Sequence, residues 1–218
     1  IPASINIEKI NDSIGVNIPY VSLFDIYDVS DFTNIQQIGT IDMTPIHGSY
    51  GTRYFEMLND TILIAGGQSA VSFWNISDSA NWEYISHYEP DVHMIFGKNF
   101  TIIDTFLALT RFDGLELLDI SDIYNPQSVN FIEYYNYGLA SASYNDNLYL
   151  ATQVDGIRRY KVENNEINFT ENIFEYPHFH SGYIYSNYLF VQTYHYGFYL
   201  FDISNPDEPV EIATSLSN

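Results

Sequence analysis

An internal repeat limits the architectures open to this chain more than any other property of its sequence. Five segments each combine a polar turn, an apolar strand, a short loop and a second apolar strand. They read NDSIGVNIPYVSLFDIYDVS, NDTILIAGGQSAVSFWNIS, IDTFLALTRFDGLELLDIS, NDNLYLATQVDGIRRYKVE and SNYLFVQTYHYGFYLFDIS. The residue that ends the second apolar strand recurs at intervals of 47, 44, 42 and 41 residues. We call the residues at these five positions the anchor residues: Asp28, Asn75, Asp119, Lys161 and Asp202. A period in the forties with four short strands per unit is typical of a β-propeller blade.

The repeats predict an all-β fold, a single β-propeller domain over residues 1–218 with five four-stranded blades of about 41–47 residues. Helical repeats are excluded because these segments are short runs of Ile, Val, Tyr, Phe and Thr. In the fourth blade, strands A to D are predicted at Gly138–Tyr144, Leu148–Ala151, Ile157–Lys161 and Ile167–Phe174. The blades run over residues 1–44, 45–90, 91–135, 136–176 and 177–218 and are all in phase. Two alternatives stay open: the five blades close alone, or they belong to a longer chain.

A glycine precedes strand C in three of the blades. Gly114, Gly156 and Gly197 occupy the same position of the repeat. A tight loop between strands B and C that requires a positive φ angle explains a glycine there, so a positive φ is predicted for all three.

The segments around the anchor residues resemble the LVIVD-repeat family, whose signature is an apolar strand, Asp-Ile-Ser, a short turn often containing Asn-Pro, and another apolar strand. FYLFDISNPDEPVEIATSL is the best match, followed by LELLDISDIYNPQSV and FDIYDVSDF. The resemblance covers nearly the whole chain. It implies a β-propeller of an exported or surface-anchored protein and supplies no catalytic residues. We interpret Asp-Ile-Ser as a turn former; the fourth copy has Lys161 and Glu163 instead, so its turn is predicted to lack those hydrogen bonds.

The charge balance excludes whole classes of partner. The chain has 28 acidic and 7 basic residues, which gives a net charge of −21. Such a surface repels phosphate backbones and anionic membranes, so no nucleic acid is expected as a partner. No apolar stretch approaches the roughly 20 residues of a membrane helix, so no membrane insertion is expected within this chain. Cysteine is absent, which removes disulfides, Cys-ligated zinc and thiol nucleophiles.

A hydrolase that acts on polysaccharide is the alternative function class. Propeller glycosidases need two or three carboxylates, one protonated as acid and one ionised as nucleophile or base. The predicted inner strands contain only Glu8 and Glu56, and the connections from strand D to the next strand A add Asp42, Glu89 and Asp91. Because this set is small, the sequence favours a protein without catalytic residues.

Loops commonly carry binding sites, so the D–A connections and B–C loops are where we expect a ligand. Histidines and aromatic residues are concentrated there, and aromatic rings suit protein or carbohydrate recognition. The candidate binding residues are His47, His93, His178, His180, His195, Tyr194, Tyr196, Arg111 and Phe112. The histidines are unevenly spaced within the repeat, so a symmetric ring of metal ligands is not encoded, and no metal site and no cofactor are predicted. Chelation of a metal ion by His178 and His180, two apart on one strand, stays open beside ordinary hydrogen bonds from histidines to backbone carbonyls. Calcium at the acidic turn of Asp202, Asp207 and Glu208 stays open beside an ordinary Asx turn.

Five Asn-x-Ser/Thr sequons are glycosylation candidates: Asn11, Asn59, Asn75, Asn99 and Asn168. Together these features predict a non-enzymatic module on the cell surface or outside the cell. Its expected partner is a protein or a glycan, and its expected role is binding or structural assembly, including assembly as a homo-oligomer.

Overall fold

A computed structural model describes residues 7–17, 23–48, 51–94, 100–134, 138–152, 155–174, 179–193 and 197–215. The chain divides into two compact units, Ile1–Asp91 and Val92–Asn218. No helix among the described residues is long and apolar enough to span a bilayer.

The first unit contains two four-stranded antiparallel sheets, each with its strands in chain order. The first sheet consists of β1 (Ile7–Lys9), β2 (Ile14–Asn17), β3 (Leu23–Asp28) and β4 (Gln36–Asp42). A single helical turn, α1 (Thr44–His47), precedes the second sheet of β5 (Thr52–Met57), β6 (Ile62–Gly67), β7 (Val71–Asn75) and β8 (Glu83–Tyr88). Apolar side chains of both sheets form one core cluster that includes Phe24, Ile26, Leu63 and Trp74.

The second unit contains three further antiparallel sheets of four strands, again in chain order. The third sheet consists of β9 (Phe100–Ile103), β10 (Phe106–Thr110), β11 (Gly114–Asp119) and β12 (Gln127–Glu133). The fourth consists of β13 (Gly138–Tyr144), β14 (Asn147–Thr152), β15 (Ile157–Glu163) and β16 (Glu166–Phe174), and the fifth of β17 (Phe179–Tyr185), β18 (Tyr188–Thr193), β19 (Phe198–Asp202) and β20 (Val210–Ser215). The first strand of the fourth sheet, β13, packs against both β9 and β17.

The predicted all-β fold with five in-phase, four-stranded sheets is confirmed. In the fourth sheet, β13 has the predicted limits, and the other three strands differ from the prediction by at most two residues at either end. Two of its strands, β14 and β15, are mostly buried. This burial explains why their sequences do not simply alternate between apolar and polar residues.

The anchor residues end strand C by forming Asx turns in four of the five sheets. The Oδ1 atom of Asp28 accepts hydrogen bonds from the Ser30 amide (2.9 Å) and hydroxyl (2.6 Å). Equivalent amide bonds run from Ser77 to Asn75, from Ser121 to Asp119 and from Ser204 to Asp202. These side chains therefore close the turn after strand C, as the Asp-Ile-Ser pattern predicts.

The turn of the fourth sheet departs from this pattern, also as predicted. Strand β15 continues two residues beyond Lys161 and pairs Glu163 with Glu166 on β16. The two residues between them, Asn164 and Asn165, have φ angles of 54° and 63°. Two consecutive positive φ angles are typical of a type I′ hairpin turn, which asparagine tolerates well. A tight hairpin thus replaces the longer Asx turn here.

The B–C loops of the fourth and fifth sheets need glycine for its backbone conformation. Thr152 N donates to Gly156 O (2.8 Å), and Thr193 N donates to Gly197 O (2.9 Å). Gly156 and Gly197 have φ angles of 82° and 87°. A three-residue loop followed by a residue in the left-handed region is a common hairpin connection.

In the third sheet, a glycine is required at position 114 for a different reason, and the prediction of a positive φ angle for Gly114 is wrong. Its B–C loop is one residue shorter, because Arg111 N donates to Gly114 O (2.8 Å), and its φ is not in the left-handed region. A Cβ atom on Gly114 would lie 2.1 Å from the carbonyl oxygen of Ile132 and 2.7 Å from the Phe131 ring. Close approach of strand β12 therefore excludes a side chain at this position.

Candidate functional site

Three of the predicted binding residues lie together at the B–C loop of the third sheet. Met94 forms an isolated β-bridge with Arg111, and the amide of Phe112 donates to the carbonyl oxygen of His93 (3.1 Å). His93 is exposed and Phe112 is half-buried. His178, Tyr194, His195 and Tyr196 lie outside the described residues, and so does the side chain of His180.

Arg111 is buried and paired with two carboxylates. Its Nε and Nη2 atoms donate to the two carboxylate oxygens of Asp113, both at 2.9 Å, and Nη1 donates to Glu116 at 2.7 Å. Glu116 is itself buried, and its second oxygen accepts a bond from the Ser128 hydroxyl (2.7 Å). The guanidinium also lies over the Phe131 ring, 4.6 Å from its centroid. Arg111 therefore holds its own loop together by charge-assisted bonds rather than facing solvent as a ligand-binding cation.

The fourth sheet has a related arrangement at its B–C loop. Asp155 Oδ2 accepts bonds from the Tyr134 hydroxyl (2.6 Å) and from Arg158 Nη2 (2.9 Å). The Arg158 guanidinium lies 4.2 Å from the Tyr134 ring centroid and 5.2 Å from that of Phe169. Burial, together with the hydrogen bond to Asp155, raises the pKa of Tyr134. We call the two groups of residues around Arg111 and Arg158 the loop networks.

The loop networks were not anticipated as units, although a local signal exists. Both B–C loops contain Asp-Gly, as Asp113-Gly114 and Asp155-Gly156, and each lies within three residues of an arginine. In a chain with only 7 basic residues, an arginine beside such a turn is a candidate for an internal ion pair. Ser128 and Phe131 carry no local signal, because β12 brings them from more than ten residues away.

Each basic side chain that the structure describes, those of Lys9, Arg111, Arg158, Arg159 and Lys161, forms an ion pair. These pairs include Lys9–Asp12, Arg111–Asp113, Arg158–Asp155, Arg159–Asp207 and Lys161–Glu163. The chain carries 28 acidic residues, so most of its carboxylates have no basic partner. The resulting field favours a cationic partner surface and repels polyanions.

His47 lies in the first unit and is a core residue. It ends α1, its side chain is fully buried, and its Nε2 atom is 2.8 Å from the Ser72 hydroxyl. The Trp74 indole donates to the same hydroxyl (2.7 Å). Gly67 makes room for the ring, since a Cβ there would lie 2.7 Å from His47 Nδ1. The position of His47 thus supports packing of α1 on the second sheet rather than contact with a ligand.

Acid is expected to destabilise the first unit through His47. Burial lowers the pKa of His47 to about 4, against 6.5 for an unperturbed histidine. Between these values the unfolded chain binds a proton that the folded chain does not, so the free energy of unfolding falls as the pH falls from 6.5 to 4. The loss is about 3 kcal/mol by the pKa difference. Urea denaturation followed by tryptophan fluorescence measures it, because Trp74 and Trp82 both belong to this unit.

The matched variant for this prediction is His47→Gln, which keeps a polar side chain without titrating in this range. Its free energy of unfolding should change far less between pH 7 and pH 4 than that of the unmodified chain. His93→Gln, at an exposed histidine, should keep the full dependence. Equal slopes for the unmodified chain and His47→Gln would contradict the assignment.

Some of the carboxylates considered for a hydrolase form hydrogen bonds or ion pairs with nearby residues of the chain. Asp42 accepts a bond from the Thr44 amide (2.9 Å), and hydrogen bonding from Thr44 lowers the pKa of Asp42. Glu89 Oε1 is 3.2 Å from His87 Nε2. Glu56 is half-buried on β5 and lines a small crevice with Lys9 and Phe55. The side chain of Glu8 lies outside the described residues.

No group of three or more histidine or acidic side chains within the described ranges is arranged to hold a metal ion. At the turn considered for calcium, Asp202 Oδ1 accepts bonds from the Ser204 amide (2.9 Å) and from Asn187 Nδ2 (3.0 Å). Asp207 Oδ1 accepts from Arg159 Nη1 (2.9 Å). These carboxylates therefore close the turn and tie it to the fourth sheet.

Comparison with known proteins identifies the fold. No family model matches the chain, and no curated protein matches it in sequence. Among solved structures, Hsv2 of Kluyvelomyces marxianus has a TM-score of 0.63 at 14% identity over 98% of this chain, and BamB of Moraxella catarrhalis has 0.60 at 10% over 97%. The chain spans 65% and 59% of the lengths of those two chains. The computationally designed Ika8 protein has a TM-score of 0.59 at 9% identity, with 97% of this chain and 74% of that chain covered. The five four-stranded sheets and these similarities give this chain the β-propeller fold.

Proposed function

We propose that the chain is a non-enzymatic binding and assembly module of the LVIVD-repeat type, at the cell surface or outside the cell. Its binding surface is the end of the second unit where the B–C loops lie. The loop networks carry this proposal. In each network the arginine guanidinium is hydrogen-bonded to carboxylates of its own sheet. Arg111 and Arg158 thus fix the loop conformation rather than exchange protons with a substrate.

Fixed loops suit recognition because little conformational entropy is lost when a partner binds. Around Arg111, the loop presents the half-buried Phe112 beside the exposed His93. The surrounding charge is negative, since the described basic side chains are paired internally. These features support a protein partner with a basic surface as the main ligand class, with a neutral or basic glycan as the alternative.

Site-specific photo-crosslinking in the native host tests this proposal. A benzoylphenylalanine replaces Phe112 at the B–C loop, and in the control it replaces Tyr124 in the C–D turn of the same sheet. Tyr124 is the more exposed of the two, so non-specific adducts would favour the control. We expect discrete adducts from position 112 only, and fewer of them at high salt because the attraction is screened. Adducts of equal yield from both positions, or none from either, would count against this surface.

Surface exposure of the protein predicts glycosylation at Asn59. The residue is exposed in an A–B turn, and its Oδ1 atom accepts bonds from the amides of Thr61 and Ile62 (both 2.9 Å). Its Nδ2 atom is the group that a glycan would modify. In a glycosylating secretory host, Thr61→Ala should remove one glycan mass, while Asn59 keeps the bonds from the two backbone amides. Thr33→Ala changes a similar Asx turn outside any sequon and should leave the mass pattern intact. An unglycosylated Asn59 in unmodified chain secreted by this host would refute the prediction.

A further inference from the structure

The fifth sheet carries an aromatic face that no other described part of the second unit covers. Along β18, Leu189 and Val191 are buried whereas Tyr188 and Phe190 are 36% and 38% exposed. Tyr183 on β17 is directly opposite Phe190, with ring centroids 6.0 Å apart, and Tyr185 is opposite Tyr188. Together with Phe198 on β19, these residues form one surface, which we call the outer face. An aromatic side chain has a surface of roughly 200 Å², so five half-exposed ones present about 500 Å². This area is near the upper end for the largest exposed apolar patch of a monomeric protein.

The repeat shows that the outer face is an exception. The residue four positions before the anchor residue begins the core part of strand C in every sheet. In the first four sheets it is 0–1% exposed, whereas in the fifth it is 49% exposed: the five residues are Phe24, Val71, Leu115, Ile157 and Phe198. The side chain at this position is therefore buried in the first four sheets and exposed in the fifth.

In the second unit, the covering group is always the next sheet. Leu115 and Leu117 of the third sheet pack in one cluster with Leu148, Leu150 and Tyr160 of the fourth. The opposite face of the fourth sheet packs in the same way on the fifth, in a cluster of Tyr149, Ala151, Ile157, Leu189, Val191, Tyr199 and Phe201. The third and fourth sheets thus each receive the following sheet on the side that holds Leu115 or Ile157, and Phe198 marks the equivalent side of the fifth sheet. The outer face is the receiving side of the fifth sheet.

We propose that the outer face is covered by a further four-stranded sheet of the same repeat, carried by the same polypeptide outside residues 1–218. The covering side chains occupy the positions of Leu189, Val191, Tyr199 and Phe201 and are aliphatic or aromatic. A second copy of the chain is the weaker occupant, because each copy has a net charge of −21 and like charges oppose association. Hsv2 and BamB, which are similar in fold over nearly all of this chain, are longer than it is.

Sequencing of the native polypeptide by mass spectrometry, after isolation with an antibody against this chain, tests the proposal directly. We expect a mass above 25.1 kDa and at least one more copy of the repeat, with apolar residues at the four covering positions. A native polypeptide of 25.1 kDa overturns the proposal, and so does a longer one without another repeat.

An extension of the chain tests the packing itself. Residues 177–218 are duplicated after Asn218, which supplies a sheet whose Leu189, Val191, Tyr199 and Phe201 already fit a receiving face. We expect the amides of the original β18 and β19 to exchange at least about tenfold more slowly. The control carries glutamate at Leu189 and Val191 of the added copy only and should leave this exchange as in residues 1–218. Equal amide exchange in the extension and its control would overturn the proposal. Two results for the 218-residue chain would overturn it as well. The first is an outer face that binds no hydrophobic dye, and the second is a dimer that Phe198→Ser dissociates.

Discussion

Replacement of Arg111 by methionine is expected to lower the free energy of unfolding of the second unit by about 3–5 kcal/mol. The variant leaves Glu116 buried, with Ser128 as a hydrogen-bond donor but without its cation. An uncompensated buried charge is among the most costly single defects a fold can carry. Both tryptophans belong to the first unit, so amide exchange of β10 and β11 during urea denaturation is the suitable readout.

Two further variants separate the charge from the loss of packing. Arg111→Met combined with Glu116→Leu removes both buried charges and should recover most of the lost stability, because apolar residues often replace a buried ion pair without cost. Lys161→Met, in the same unit, breaks exposed pairs with Asp146 and Glu163 and should change stability far less. Equal losses in the single and the double variant would show that Arg111 acts through its packing on Phe131 rather than through its charge.

Phe24→Ala is expected to lower the free energy of unfolding of the first unit by about 3–5 kcal/mol, as large-to-small changes in a core do. Phe24 is fully buried and contacts Phe55 edge-to-face, with ring centroids 5.2 Å apart. Tryptophan fluorescence during urea denaturation measures the loss, because Trp74 belongs to the same core cluster.

Phe198→Ala is the matched control, since Phe198 occupies the same position of the repeat but is half-exposed. Phe198 lies in the second unit, so its loss is followed by amide exchange of β18 and β19 during urea denaturation. In the 218-residue chain this loss should stay below about 1 kcal/mol, because little packing is removed. A loss as large as that of Phe24→Ala would mean that the outer face is covered within this chain.

The sequence alone predicted the strands well because strand and turn signals are local. Ile, Val, Tyr and Phe runs between polar turns located the four strands of the fourth sheet to within two residues, and Asp28, Asn75, Asp119 and Asp202 marked where strand C ends. The replacement of the anchor pattern by Lys161 and Glu163 also predicted a different turn correctly. Gly114 was misinterpreted because its requirement comes from Ile132 on another strand, which no local pattern reveals.

The candidate site was less predictable because its side chains meet through pairing of distant strands. The repeat predicted that His93, in a D–A connection, and Arg111 and Phe112, in a B–C loop, lie at the same end of the blades, and their direct contact is a finding of the structure. Burial of Arg111 did not, since it depends on Glu116 on β11 and on Ser128 and Phe131 on β12. His47 shows the same limit: its loop position is visible in the sequence, but its contact with Ser72 arises only when α1 packs on the second sheet.

Release of reducing ends from a panel of neutral, acidic and basic polysaccharides tests the central claim, that this propeller binds rather than hydrolyses. The unmodified chain is compared with Glu56→Gln, which removes the carboxylate on β5 and keeps its shape. We predict no release above buffer for either protein. Release by the unmodified chain that Glu56→Gln abolishes would contradict the account and establish a hydrolase.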